Sequence, residues 1–124
     1  MKPEDKQLLL KDLSARLPYG VKANSRDGKK IITITPIGIA NFMSGAIDII
    51  KPYLRPMSSM TEEEQKEYHK TFRVEPYGNG YVYVESAKSF DWLNKNMFDF
   101  RELIPKDLAL STEEFNPYIE NWRL

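Results

Sequence analysis

The sequence predicts an α+β fold in one domain, a mainly antiparallel sheet packed by an N-terminal helix and by a helix near residues 89–97. Three observations carry that expectation. Leucines recur at helical spacing at the start of the chain. Two β regions follow, each built around a Gly-containing turn. A further apolar stripe at helical spacing lies after the second of them. The length of 124 residues suits one domain. The N-terminal strands have room to curl into a small barrel-like sheet.

Pro3 to about Leu17 reads as the first helix. Pro3 suits a first turn, where its missing N–H costs nothing, and Glu4 and Asp5 complement the helix dipole. Leu9, Leu10, Leu13 and Leu17 form one stripe, with Lys6, Lys11, Asp12 and Arg16 expected on the opposite, wet side. Pro18 and Gly20 end the helix. Tyr19 to Ala23 reads as a strand, Asn24 to Gly28 as a turn marked by Asp27-Gly28, and the β-branched run Lys30 to Thr35 as the clearest strand of the chain. Pro36 stops it or marks an edge. Ile37 to Phe42 reads as a further strand, and Ala46 to Ile50 as a strand or a short helical turn.

Lys51 to Met60 reads as a connector with two prolines, each of which favours extended geometry in the residue before it. Thr61 opens a polar helix to about Thr71, with Glu64 completing a capping box. Phe72 to Pro76 and Gly80 to Glu85 form a second hairpin around Tyr77-Gly78-Asn79-Gly80, with aromatic and aliphatic residues alternating along Tyr81-Val82-Tyr83-Val84. Ser86 or Ser89 caps the next helix, whose inward stripe is Phe90, Leu93 and Met97 with Trp92 on a flank. Near the C-terminus, Asn116-Pro117 opens a last helical turn through Tyr118, Ile119 and Trp122.

Composition bounds the function. There is no cysteine and only one histidine, His69, so thiolate chemistry is excluded and an imidazole-based metal site lacks ligands. No apolar run is long enough for a signal peptide or a membrane span, and a cytoplasmic protein without membrane contact is expected. His69 alone would have to serve any Ser-His mechanism, and its place late in a polar helix is ordinary. Glu62, Glu63, Glu64 and Glu67 read as a solvated helix start. Gly78-Asn79-Gly80 lacks the further glycine and the following helix of a dinucleotide loop. No cofactor is expected, and the chain reads as a non-enzyme.

Eighteen Lys/Arg balance eighteen Asp/Glu, but residues 1–56 carry ten of the former against five of the latter, and the remainder reverses the bias. Two binding surfaces follow as candidates. In extended geometry Lys51, Tyr53 and Arg55 project to one side, a basic strip with an aromatic ring that suits nucleic acid, with Lys22, Lys29 and Lys30 as extensions. The plainer reading packs Tyr53 and Leu54 inward and leaves the cations solvated. Phe115, Tyr118 and Trp122 are candidate anchors for a protein partner or for self-association; otherwise the tail folds back onto the core.

The segments Lys51-Pro52-Tyr53-Leu54-Arg55-Pro56-Met57-Ser58-Ser59-Met60-Thr61-Glu62-Glu63-Glu64, Asp91-Trp92-Leu93-Asn94 and Phe98-Asp99-Phe100-Arg101, with Leu103-Ile104 and Leu108-Ala109-Leu110, resemble signatures of a family of short uncharacterised proteins from gut Bacteroidales genomes and their phages or other mobile elements. Leu9 to Leu13 and Ala15 to Val21 resemble the start of the same family. The chain departs from the pattern between Lys22 and Ile50 and after Leu110. The resemblance implies a bacterial cytoplasmic setting and no particular chemistry. The missing catalytic groups and the surplus of aromatics outside clear core stripes make an accessory protein that binds another protein the leading expectation, with nucleic-acid binding as the alternative.

Overall fold

A computed structural model describes residues 2–24, 30–45 and 50–119. The α+β class holds. Among the described residues, four α-helices surround small two-stranded ladders, both antiparallel and parallel, and no closed barrel forms. Helix α1 (Pro3–Arg16) buries Leu9 and Leu13 as the stripe predicts, while Leu10 and Leu17 are only partly covered. Its expected wet side is corrected: Asp12 and Arg16 are fully buried, because α1 is wrapped on that flank by the segment after Met97. Tyr19 belongs to a 3-10 turn, Leu17–Tyr19, and not to a strand. Pro18 suits that turn, and Gly20 closes it in the left-handed region at φ 74°.

Strands β1 (Lys22–Asn24) and β2 (Ile31–Thr33) pair antiparallel with Ala23 opposite Ile32. The Asp27-Gly28 turn lies outside the described residues, as does most of Ala46 to Ile50. The strand expected at Ile37 to Phe42 is a helix, α2 (Pro36–Met43). Thr35 is extended and its hydroxyl accepts from the Gly38 N–H at 3.0 Å, with Pro36 in the first turn. This local capping decides what an apolar run too short for periodicity could not.

The expected connector after residue 50 is instead the centre of the molecule. Strand β3 (Tyr53–Leu54) runs parallel to β6 (Leu110–Ser111), and Pro52 and Leu54 are buried. On one edge Leu110 N–H and Thr112 N–H donate to the carbonyls of Pro52 and Leu54 at 2.8 and 2.9 Å. The other edge is completed piecemeal. Lys51 N–H donates to Asn24 Oδ1 at 2.8 Å while its carbonyl accepts from Asn24 N–H at 3.1 Å. Arg55 N–H donates to Met97 O at 2.7 Å, and Arg55 O accepts from Asp99 N–H at 2.8 Å. Between these, Tyr53 O accepts from the Tyr118 hydroxyl at 2.8 Å. The same hydroxyl accepts from Lys22 N–H at 2.9 Å, so a phenol supplies a rung between β1 and β3. Each proline of this segment removes one donor, and the extended geometry it favours is what the strand requires.

Helix α3 (Glu62–Lys70) has the predicted capping box: Thr61 Oγ1 accepts from Glu64 N–H, and Glu64 Oε1 accepts from Thr61 N–H. Strands β4 (Arg73–Tyr77) and β5 (Gly80–Val84) form the predicted hairpin, closed by Tyr77 opposite Gly80. Gly78 at φ 59° meets the demand of a two-residue turn that has its first central residue in the left-handed region. Helix α4 (Ala87–Lys95) starts at Ser86, whose N–H donates to Ser89 Oγ at 2.9 Å. Its stripe is corrected in one place: Leu93 and Met97 are buried, but Phe90 is exposed beside Phe100. Met97 lies in the left-handed region at φ 62°, with Phe98 N–H donating to Leu93 O and Met97 N–H to Asn94 O. This C-terminal motif usually carries glycine. Here the Met97 side chain joins the core and its carbonyl holds Arg55. The expected helical turn after Asn116 is an irregular turn as far as Ile119.

The core gathers Leu9, Leu13, Val21, Ala23, Ile34, Phe42, Ile50, Leu54, Met97, Leu103, Leu108 and Ala109 between α1, α2 and the central strand. No helix among the described residues is long and apolar enough to cross a membrane.

Candidate functional site

The predicted basic strip exists as geometry: residues 51, 53 and 55 alternate with buried Pro52 and Leu54 along an extended segment. Each of its side chains, however, has a partner within the chain. Lys51 Nζ pairs with Asp107 at 2.8 Å. Tyr53 meets the Phe115 ring edge-on, with centroids 5.9 Å apart. The Arg55 guanidinium grips both Glu64 carboxylate oxygens, at 2.6 and 2.7 Å, donates to Ser59 O, and lies 4.1 Å from the Phe98 ring centroid. That grip holds the Glu64 carboxyl down to about 2. Two cations neutralised by carboxylates offer little to a phosphate backbone.

The C-terminal aromatics turn inward where they are described. Phe115 covers Tyr53, and Tyr118 packs on the core with its hydroxyl between β1 and β3. Burial pushes that phenol up to about 12. Trp122 lies outside the described residues.

Beneath these, Asp12 is held between two guanidinium groups. Arg16 Nε donates to both its oxygens at 3.0 Å, and Arg101 Nη1 donates to Oδ1 at 2.6 Å. Arg16 Nη2 also donates to Phe98 O at 2.6 Å, tying α1 to the segment after α4, and Arg101 reaches Asn94 Oδ1 at 3.1 Å. Burial pulls the Arg16 guanidinium below its ordinary value, against the opposing pull of Asp12. The cluster is enclosed and positions segments. Nearby, Asp99 accepts from Leu103 N–H and Ile104 N–H, both at 2.8 Å, and fixes the following turn.

Shallow clefts mark the surface of the described residues, three of which bear on the candidate sites. One of about 420 Å³ is bounded by Tyr19, Arg55, Lys95, Asn116 and Tyr118. A smaller one of about 260 Å³ lies over Pro56, Met57 and Glu102. The third, about 340 Å³, is mostly apolar and is lined by His69, Phe72 and Tyr83 at the foot of the β4–β5 hairpin. Among the described residues no three His, Asp or Glu side chains converge as metal ligands.

Among the described residues, the hairpin gathers five exposed large apolar or aromatic side chains, Val74, Tyr77, Tyr81, Val82 and Tyr83. Pairing puts Val74 opposite Tyr83 and Pro76 opposite Tyr81, so these four share one face; Glu75, Tyr77, Val82 and Val84 lie on the other with Arg73. Tyr77, Tyr81 and Tyr83 are 77, 76 and 69% exposed, and Val74 and Pro76 are exposed beside them. Because Tyr77 and Gly80 close a two-residue turn, Glu75 and Val82 exchange ladder bonds, whereas the backbone groups of residues 74, 76, 81 and 83 point away from the partner strand. The outer edge of β4 therefore carries Pro76, which has no N–H to offer. The outer edge of β5 carries the complete amide groups of Tyr81 and Tyr83, unpaired with any described residue.

The foot of this arm is anchored by stacked rings. Phe72 meets Tyr68 edge-on at 4.9 Å, Tyr68 stacks on Trp92 at 5.5 Å, and Trp92 stacks on Phe98 at 5.6 Å, beneath Arg55. The Tyr68 hydroxyl donates to Glu85, and burial with this carboxylate raises its ionisation well above the ordinary phenol range. The hairpin is not among the candidate sites legible in residue types alone. The signal was present: a two-stranded hairpin with apolar residues on both faces cannot cover both with one body. The chain matches no family model, no curated protein and no solved structure.

Proposed function

We propose that the protein is a non-enzymatic accessory protein that binds another polypeptide, and that the β4–β5 hairpin is its binding arm. One observation carries the reading. The β5 edge presents the outward amides of Tyr81 and Tyr83 unpaired, next to an uncovered face of Val74, Pro76, Tyr81 and Tyr83. Strand addition at such an edge takes its affinity from main-chain bonds and its selectivity from alternate side chains. The occupant is an extended segment without charges where it faces β5, since the strand Gly80–Val84 has none to pair with. Rich β-branched and aromatic content suits it to the tyrosines.

The nucleic-acid alternative has less to rest on, because Lys51, Tyr53 and Arg55 are already engaged by Asp107, Phe115 and Glu64. The bacterial, cytoplasmic setting is part of the proposal and is supported by the absence of cysteine and by the signature resemblance.

Panning a displayed library of random linear peptides tests the binding arm. The expected result is enrichment of uncharged, β-branched and aromatic sequences that slow hydrogen exchange at the Tyr81 and Tyr83 amides. Equal recovery on a variant with Tyr81 and Tyr83 both changed to Ser would overturn it.

A further inference from the structure

The two edges of the hairpin are built differently, and the difference points to an occupant. Folded proteins protect exposed strand edges with charges, prolines or bulges. The strand β4 has such protection: Pro76 removes an outward donor, and Arg73 and Glu75 pair at 2.8 Å along it. The strand β5, Gly-Tyr-Val-Tyr-Val, has no charge and no proline, and its register with β4 runs unbroken from Gly80 to Val84. Protection on one edge alone leaves the other suited to pairing.

We infer that the β5 edge pairs with the β5 edge of a second copy of this chain, antiparallel about a two-fold axis through Val82, giving one four-stranded sheet. This rests on the reading of the hairpin as a strand-addition arm. The register follows from which groups face outward. Tyr81 and Tyr83 point their amides out of the hairpin, so Tyr81 of one copy must lie opposite Tyr83 of the other, and each such pair exchanges two main-chain bonds. Val82 then meets Val82 of the second copy at the axis.

This register is self-complementary in chemistry as well as in hydrogen bonding. Tyrosine meets tyrosine on the apolar face and valine meets valine on the other, and aromatic and β-branched pairs are the favourable cross-strand contacts. No like charges oppose one another, since the strand has none. The pairing also brings Tyr81 of the second copy alongside Tyr83, one of the three side chains around the apolar cleft with His69 and Phe72. The area limits the strength. Two tyrosines and a valine offer roughly 400 Å² per copy, about half the surface that a stable complex buries on each partner. The dimer is therefore reversible and appears only as concentration rises.

Sedimentation velocity of the full chain from micromolar concentration to about 1 mM tests this, with far-UV circular dichroism as a check on folding. The wild type is expected to pass from monomer to dimer. V82E, which sets carboxylates against each other at the axis, weakens association at least tenfold. An equimolar mixture of V82E with V82K restores it, because only a two-fold at this residue puts the two new charges face to face. I37E, at an exposed position on α2 outside the hairpin, keeps association within about twofold. A wild type that stays monomeric at 1 mM, a V82E variant that dimerises unchanged, or a mixture without rescue would each overturn the inference. If V82E misfolds, the wild-type series still decides. A monomer that nevertheless binds library peptides at Tyr81 and Tyr83 leaves the binding arm standing and removes only the second copy; a monomer that binds none removes both.

Discussion

Asp12 shows how much can rest on one carboxylate. It is fully buried, it neutralises the buried Arg16, and it holds Arg101 at 2.6 Å. Removing it strands a guanidinium with no water to receive it, and breaking a buried pair from one side costs about 3–5 kcal/mol. D12N should lower the unfolding free energy by about that amount in a urea titration, while a substitution at exposed Lys11 on the same helix leaves it nearly unchanged. Glu64 makes a different prediction. Its carboxyl is held at about 2 in the folded chain, mainly by the Arg55 hydrogen bonds, against an ordinary 4.5. A depressed carboxyl stabilises above its unfolded pKa and loses that contribution as pH falls. The difference in stability between wild type and E64Q should therefore be constant above about pH 5 and shrink between about 4.5 and 2. Both side chains are partly open to water, so the amount is about 1–2 kcal/mol. Thermal melts across that range measure it.

At the scale of elements, legibility followed the presence of local signals. The capping box at Thr61 and Glu64, the hairpin closed at Tyr77 and Gly80, and the Leu9 and Leu13 stripe were each readable because they are set by residues a few positions apart. The segment after Pro36 was misread because Ile37 to Phe42 is too short to show a period, and Thr35 was not recognised as a cap. The central strand escaped notice for the opposite reason. Its partners are Asn24, Met97, Leu110 and Tyr118, all remote in sequence, and only Pro52 and Pro56 marked it locally. Elements also differ in how firmly they are held. The central strand is bonded on both edges and its alternate residues are buried, whereas β4 and β5 hold mainly each other. In dilute solution the amides of Arg55 and Thr112 should exchange only through global unfolding. The ladder amides of Glu75 and Val82 should exchange at least about a hundredfold faster through local opening. Amide exchange followed by NMR separates the two, and equal protection would show that the hairpin is part of the core unit.

For the whole molecule, distant segments converge on the residues that were read as a nucleic-acid strip. Arg55 draws together Glu64 from α3, Phe98 and the Met97 carbonyl after α4, and Asp99 N–H. Rings then pass from Phe98 through Trp92 and Tyr68 to Phe72 at the foot of the arm. The sequence displayed the types of these residues but not their partners, so an exposed cationic patch and an internal joint looked alike. The aromatic tail divides in the same way: Phe115 and Tyr118 complete the body. The most exposed tyrosines among the described residues, Tyr77, Tyr81 and Tyr83, belong to the β4–β5 hairpin, and the proposed function follows from them.

Pro76 has one more effect. When two β5 strands meet, the outermost strand on either side of the joined sheet is β4, and each β4 offers an incoming chain a ring where an amide hydrogen is required. Growth by the same contact stops at two copies, so a chain that leaves a bare strand in water need not seed a fibril.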